Sequence, residues 1–274
     1  MAIRNSGSEA RITAARKRGA ILTHLHAWEF ADAHVVASLL HLGRTSTYTT
    51  IRNLIRSGLV SALRVAGCPT PIIHLTPAGA SAVHRLIDGT EYAEMPSVVY
   101  PSKLNLSHVQ HDLLVQRLAT RVVTRSDTCA ALSARQIVYA NLGIGRGMPL
   151  TSVKIPDAIL LDHRPDETRR TAIEVQESPE SDAITERKLA QYFEAIQRGE
   201  VYGVVYASTS QARLDQVQRI WHGKLRRWWY NSDQRQWHAS HHGDDLHDAQ
   251  ITGTRLGLAN ITNLATGLYQ YAVL

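Results

Sequence analysis

Between residues 11 and 28, Ile12, Ala15, Gly19, Leu22, Leu25 and Trp28 recur three or four positions apart, which stacks them along one face of a helix. Asp32 is placed to cap a short second helix from Ala33 to Leu40, which Gly43 ends. Thr45 or Ser46 can cap a third helix reaching about Ser57. On it, Tyr48, Ile51, Leu54, Ile55 and then Leu59 make one apolar stripe. At about 100° per residue, Ser46, Thr49, Asn53 and Arg56 fall on the opposite face, flanked by Thr50 and Arg52. Gly58 breaks the helix. Leu59–Val65 and Pro71–Thr76 can then pair as strands around Ala66–Thr70, and Thr76-Pro77 opens a fourth helix. The pattern predicts a first domain over residues 1–95, made of three helices, a two-stranded wing and a further helix.

Residues 88–104 have two prolines, a glycine and no period, so a connector is expected over 96–104 and a second domain over 105–274. Asn105 or Ser107 can cap a helix reaching about Thr124, with Leu106, Val109, Leu113, Leu114 and Leu118 on its buried side. Arg135–Ala140 has the look of a short strand. The glycine-rich Asn141–Pro149 lacks the strand-loop-helix context of a nucleotide loop and reads as a flexible loop, with a ligand nearby as one option. Two strands follow, Lys154–Asp162 and Thr171–Ser178, then a helix from about Asp182 to Arg198, a strand Val201–Ala207 and a helix from near Gln211. Leu256–Leu274 is expected to pack back as a final helix or strand. The fold class is α/β (α+β), a helical module with a wing followed by a mixed-sheet domain.

The chain's 274 residues, 44% of them hydrophobic, are enough for two domains with their own cores and exclude disorder as the dominant state. No apolar run approaches the roughly 20 residues of a membrane helix. The basic start has no apolar core behind it, so a signal peptide is not expected. Two cysteines, Cys68 and Cys129, cannot build a disulfide framework or a thiolate zinc site, which points to a reducing, cytoplasmic setting. A net charge of +6 makes a polyanion partner plausible, and its distribution sharpens the point. Ten Lys/Arg face six Asp/Glu in residues 1–95, and six face two in 211–237, whereas 151–200 is rich in carboxylates.

Small hydroxyl and amide groups interleaved with arginine suit a DNA groove better than a generic Glu/Lys face would. Arg44, Ser46, Thr49, Thr50, Arg52, Asn53 and Arg56 are the candidate DNA contacts. In the second domain Glu174 and Gln176 share one strand face, while Ile173 and Val175 occupy the other. If the two strands form a hairpin, Asp157 near the start of one lies close to Glu174 on the other. Neighbouring carboxylates repel unless a proton or a cation sits between them, and oxygen-only ligands at a strand end suit Mg²⁺ or Mn²⁺. Lys188 and Tyr192 fall one turn apart on the following helix.

Trp221–Tyr230 interleaves basic and aromatic residues; an amphipathic helix with core tryptophans is the favoured reading over base stacking. His238, His241, His242 and His247, with Asp244, Asp245 and Asp248, match no closed zinc pattern and read as a polar loop.

Three resemblances add to this reading. Residues 44–56, followed by Gly58-Leu59-Val60, the wing and Leu75-Thr76-Pro77-Ala78-Gly79, resemble the winged helix-turn-helix domain of MarR-like regulators, with 44–56 in the place of the recognition helix. Pro156-Asp157 followed by Glu174-Val175-Gln176 resembles the PD-(D/E)xK restriction-endonuclease-like fold, with Gln176 where a lysine is usual. In some branches of that fold the lysine migrates to the following helix, where Lys188 stands, and Lys188 to Tyr192 occupies the place of the Q-x-x-x-Y of RecB-like members. The whole order, with His111-Asp112-Leu113-Leu114-Val115 between the two, looks like the plasmid replication-relaxation family, related to the MOBC-class relaxases. That likeness implies a role at the initiation of plasmid replication or conjugative transfer. It implies a cation held by Asp157, Glu174 and the Val175 carbonyl, a charge-stabilising Lys188, a water-positioning Gln176 and a contributing His111.

The implied partners are double-stranded DNA at an origin-like site and other replication or transfer proteins, with no membrane; the oligomeric state stays open, a dimer included. A silent DNA-binding relative of the same fold is the alternative to a nicking enzyme. A regulator sensing a small ligand near residues 141–149 is a third reading.

Overall fold

The computed structural model describes residues 6–141, 155–223, 228–231, 236–239, 255–261 and 271–273. The described residues fall into two compact units, one up to residue 125 and the other from residue 126 onward. The protein is a mixed α+β structure, as the sequence pattern predicts.

The first unit runs α1 (Ser6–Trp28), β1 (Phe30–Ala31), α2 (Ala33–Leu40), α3 (Arg44–Arg56), β2 (Val60–Leu63), β3 (Ile72–Leu75), α4 (Pro77–Ile87) and α5 (Val109–Val123). Strands β2 and β3 pair antiparallel with Val60 opposite Leu75, and β1 adds a third strand on the other side of β3 that the sequence pattern missed. At two residues, β1 is too short to show alternation. The core gathers Leu22 and Leu25 of α1, Val35 and Val36 of α2, Ile51 and Leu54 of α3, Ile72 and Leu75 of β3, and Val83 of α4.

Helix ends differ from expectation in detail. The Asp32 carboxylate caps α2 by accepting from the Val35 amide at 2.9 Å. That helix closes on His41 in the left-handed conformation, and Gly43 instead begins α3. The turn between them is therefore only His41–Gly43. At the other end of the hairpin the Thr76 hydroxyl accepts from the Gly79 amide, capping α4, and donates to the Gly58 carbonyl at 2.6 Å. Gly79 is a steric requirement, since a Cβ there would stand 1.9 Å from the Leu59 carbonyl oxygen.

Helix α5, expected to open the second domain, packs with the first unit against α2. Its Val109 and Leu113 belong to the core just described. Two polar links fasten it. The Arg117 guanidinium donates to the other oxygen of the cap residue Asp32, which is 1% exposed, and Gln116 hydrogen-bonds His24 of α1 at 3.0 Å.

The second unit holds β4 (Cys129–Ser133), α6 (Ala134–Asn141), β5 (Ala158–His163), β6 (Thr168–Val175), α7 (Asp182–Gln197), β7 (Gly203–Ser208), α8 (Gln211–Gly223), β8 (Trp228–Asn231), β9 (Gln236–Ala239), β10 (Leu256–Asn260) and β11 (Tyr271–Val273). Six strands form one mixed sheet in the order β11-β10-β7-β6-β5-β4. Strands β4, β5 and β6 are successive antiparallel neighbours; β6, β7 and β10 run parallel, with α7 and α8 as the crossovers that parallel pairing demands. Trp221 of α8 is fully buried against Phe193 of α7, ring centroids 5.4 Å apart.

The expected strand over Arg135–Ala140 is helix α6. Ser133 and Gln136 form a capping box, in which the Ser133 hydroxyl accepts from the Gln136 amide at 3.2 Å and the Gln136 side chain accepts from the Ser133 amide at 3.0 Å. The expected amphipathic helix over Trp221–Tyr230 instead ends at Gly223, and Trp228–Asn231 forms β8, paired with β9. His238 lies in β9; the remaining histidines and aspartates of 241–248, and the glycine-rich 142–149, fall outside the described residues.

Gly79→Ala forces a Cβ against main chain that cannot yield and is expected to cost about 3 kcal/mol, read as a lower urea midpoint. Burial lowers the His24 imidazole to about 4, against the opposing hydrogen bond from Gln116. The unfolded chain therefore takes up a proton near pH 6.5 that the folded chain refuses. Stability present above pH 6.5 is lost as pH falls toward 4, by about 3 kcal/mol in all. His24→Gln should flatten that limb of a stability-against-pH curve.

Candidate functional site

Two surfaces carry the candidate chemistry, one in each unit. On α3, Arg44, Ser46, Thr49, Arg52, Asn53 and Arg56 are exposed and Thr50 is half-buried. The helix has no acidic residue. Its buried stripe is Thr47, Ile51 and Leu54, turned slightly from the expected one, so that Tyr48 (38% exposed) and Ile55 (40% exposed) border the polar face instead of the core. Thr47 tolerates burial because its hydroxyl donates to the Gly43 carbonyl at 3.0 Å. The Arg44 guanidinium lies 6.0 Å over the Tyr48 ring.

In the second unit the β5–β6 hairpin forms as expected, with Ala158 opposite Ile173. Asp157 sits at the mouth of that pair. Its amide donates to the Ile173 carbonyl at 3.1 Å, and its carboxylate accepts from the Val175 amide at 2.8 Å. Glu174, next to last in β6, is only 7% exposed and stands beside Tyr206 of β7 in the parallel register. The Tyr192 hydroxyl of α7 donates to the Glu174 carboxylate. Tyr192 is thus a buried residue, 2% exposed, and not a surface partner of Lys188.

Burial first, and then the negative charge of Glu174, hold the Tyr192 phenol well above its usual range. Tyr206 is raised in the same way, by burial first and then by Glu174, Glu180 and Asp157.

Gln176 is 6% exposed, and neither polar atom of its side chain has a hydrogen-bond partner. Its main chain is firmly held, the amide donating to Ala207 and the carbonyl accepting from the Ser208 hydroxyl at 2.6 Å. Lys188 is ion-paired with Glu180, both partly buried. Glu180 and Tyr206 are the site residues that sequence reasoning missed. The signal for Tyr206 is its polar tip in an otherwise apolar strand; Glu180 has only its place just before the cap residue Ser181. His111 lies on α5 in the first unit, its ring 3.2 Å from the Asp112 carboxylate.

The donors of the second unit are hard oxygens. Two carboxylates and an orphaned buried amide suit a hydrated divalent cation such as Mg²⁺ or Mn²⁺ better than a soft metal. Among the described residues no group of three or more His, Cys, Asp or Glu side chains is arranged to hold a metal. No helix among them is long and apolar enough to cross a membrane.

A helical unit with a small three-stranded sheet is joined in one chain to a unit with a six-stranded mixed sheet and an acidic strand end. The chain belongs to the replication-relaxation family, whose model matches residues 22–206, a span that takes in α3 and the whole acidic strand end. Comparison with characterised proteins and with solved structures finds no match to either.

Removing the Tyr192 hydroxyl leaves a buried carboxylate short of a donor. Tyr192→Phe should cost about 2 kcal/mol in the native background and much less beside Glu174→Ala, a coupling that a double-mutant cycle of urea melts would measure.

Proposed function

We propose that this chain is a double-stranded-DNA-binding protein of plasmid replication or transfer, and that its second unit is a Mg²⁺- or Mn²⁺-dependent nicking endonuclease of PD-(D/E)xK type. Membership of the replication-relaxation family supports the cellular setting. The DNA-binding part rests on the first unit, read as a winged helix-turn-helix. Helices α2 and α3 flank a three-residue turn, a hairpin follows, and the exposed face of α3 offers hydroxyl, amide and guanidinium groups without a carboxylate. Ser46, Thr49 and Asn53 would reach base edges, with Arg44, Arg52 and Arg56 on phosphates. An origin-like duplex site is the expected target, with further replication or transfer proteins as partners.

The observation that carries the nuclease reading is the delivery of Asp157 and Glu174 to one end of the β5–β6 hairpin, next to the unpartnered Gln176 amide. Asp157, Glu174 and the Val175 carbonyl would hold the cation. When bound, it polarises the scissile phosphate and lowers the pKa of a coordinated water. Glu174 is oriented by Tyr192, and Gln176 offers an amide to orient the attacking water. Lys188, exchanging Glu180 for the phosphate, would offset charge building on its oxygens. Tyr192 keeps its proton and donates its hydrogen bond to Glu174, which makes it a positioning residue.

A silent DNA-binding relative is the second reading. It is favoured by the existing Lys188–Glu180 pair and by Gln176 in the usual lysine position. Nicking of supercoiled plasmid carrying candidate origins, assayed with Mg²⁺ and with Mn²⁺, separates the two. The nuclease reading expects open-circle product that Glu174→Ala abolishes. Retained DNA binding without any nicking would establish the silent one.

A further inference from the structure

Helix α1 is longer than the core requires. Its second half supplies Ile21, Leu22 and Leu25 to the interior, yet every residue from Glu9 to Arg16 is exposed, Ile12 among them at 60%. Those turns instead form one wall of a groove of about 650 Å³ whose other wall is α3. Arg11, Lys17 and Arg18 line it from α1, and Thr50, Asn53 and Ser57 from α3; no carboxylate lines it. Its α1 side is kept open by small residues such as Ala10 and Ala14.

These three cations differ from the ion-paired ones of the fold. Arg117, Arg164, Arg169, Lys188, Arg198 and Arg219 are each ion-paired with an Asp or Glu. Arg11, Lys17 and Arg18 have no such partner among the described residues. Three uncompensated cations around one concavity repel each other, and an anion laid in the groove relieves that repulsion. Arg11 and Arg18 are seven positions apart, about 10 Å along the helix axis, a reach that suits a run of phosphates better than one small anion. The groove also shares Thr50 and Asn53 with the polar face of α3, so its occupant is continuous with whatever α3 reads.

We infer that the α1–α3 groove is a binding site for the phosphate backbone of duplex DNA, with Arg11, Lys17 and Arg18 as its charge contacts. The inference rests on the proposed DNA-binding role of the first unit and adds α1 to the footprint. These contacts would fix orientation and strength but not sequence preference.

The test uses the full chain and a duplex oligonucleotide, with affinity measured by fluorescence anisotropy across a NaCl series. Arg11→Ala/Lys17→Ala/Arg18→Ala should make the plot of log K against log salt shallower by about two to three, equally for candidate-origin and unrelated duplexes. Thermal melting checks that the fold is kept, and Arg11→Lys/Arg18→Lys should keep the native slope. An unchanged slope in a triple variant that still binds duplex overturns the groove while leaving the DNA-binding role intact. A native chain that binds no duplex at all overturns both. A slope change seen only with single-stranded DNA overturns the duplex assignment.

Discussion

A carboxylate buried at the end of a sheet has to be solvated by the protein itself, because leaving it unpaired there costs several kcal/mol. Glu174 is in that position, and the second unit is arranged around the answer. Tyr192 supplies the donor, which fixes which face of α7 meets β6. Four residues earlier on the same helix, Lys188 answers the second carboxylate, Glu180. One helix thus handles two acids with two kinds of donor, a neutral phenol for the buried one and an ammonium for the partly exposed one. Asp157 is satisfied differently, by a main-chain amide of the neighbouring strand. Within this group the Gln176 side-chain amide and one oxygen of Glu180 keep unmatched polar atoms. A buried polar group left that way calls for a specific explanation, strain, a catalytic role or a bound water or ion among them.

The antiparallel β5–β6 hairpin was legible in the sequence because the two strand patterns and the polar turn between them are short-range signals. The depth of Tyr192 was not legible. Helical spacing places it one turn from Lys188, but which side of α7 is buried depends on a long-range packing choice, and a phenol is at home on either side. Glu180 was hidden for a related reason, since its role depends on the chain folding back from β6 into α7. In the first unit the sequence pattern located α1 to α4 within a few residues, because Asp32, Gly58 and Thr76-Pro77 carry local cap and turn chemistry. It mistook α6 for a strand by reading the apolar run without the Ser133/Gln136 capping box.

The boundary of the first unit shows how polar contacts override a reading by linkers. Residues 96–104 do lack regular structure apart from one turn of 3₁₀ helix at Pro101–Lys103, as a connector should. The compact unit nevertheless continues through α5, because Asp32 has two obligations. It caps α2 with one oxygen and binds Arg117 with the other, while being almost fully buried. Gln116 meets His24 one residue away on the same helix. No periodicity argument contains such pairs, since the partners are 85 and 92 residues apart.

The distribution of charge now has a structural meaning that composition alone could not supply. In the second unit Arg164, Arg169, Lys188, Arg198 and Arg219 are each ion-paired with an Asp or Glu, three of them within a few residues in sequence, so these cations do little to attract a polyanion. The cations of α1 and the exposed face of α3 are a different population. The lining of the α1–α3 groove and the α3 helix carry no carboxylate to satisfy them. Long-range attraction for a nucleic acid depends on uncompensated charge and not on the number of arginines. By that measure the first unit is where positive charge is available to a polyanion, and on the proposed reading Asp157 and Glu174 of the second unit are where a divalent cation would find its oxygens. On the proposed reading the protein needs a positive surface for the DNA backbone and a negative pocket for a metal, two things that are incompatible in one place; dividing them between two compact units of one chain would resolve that conflict.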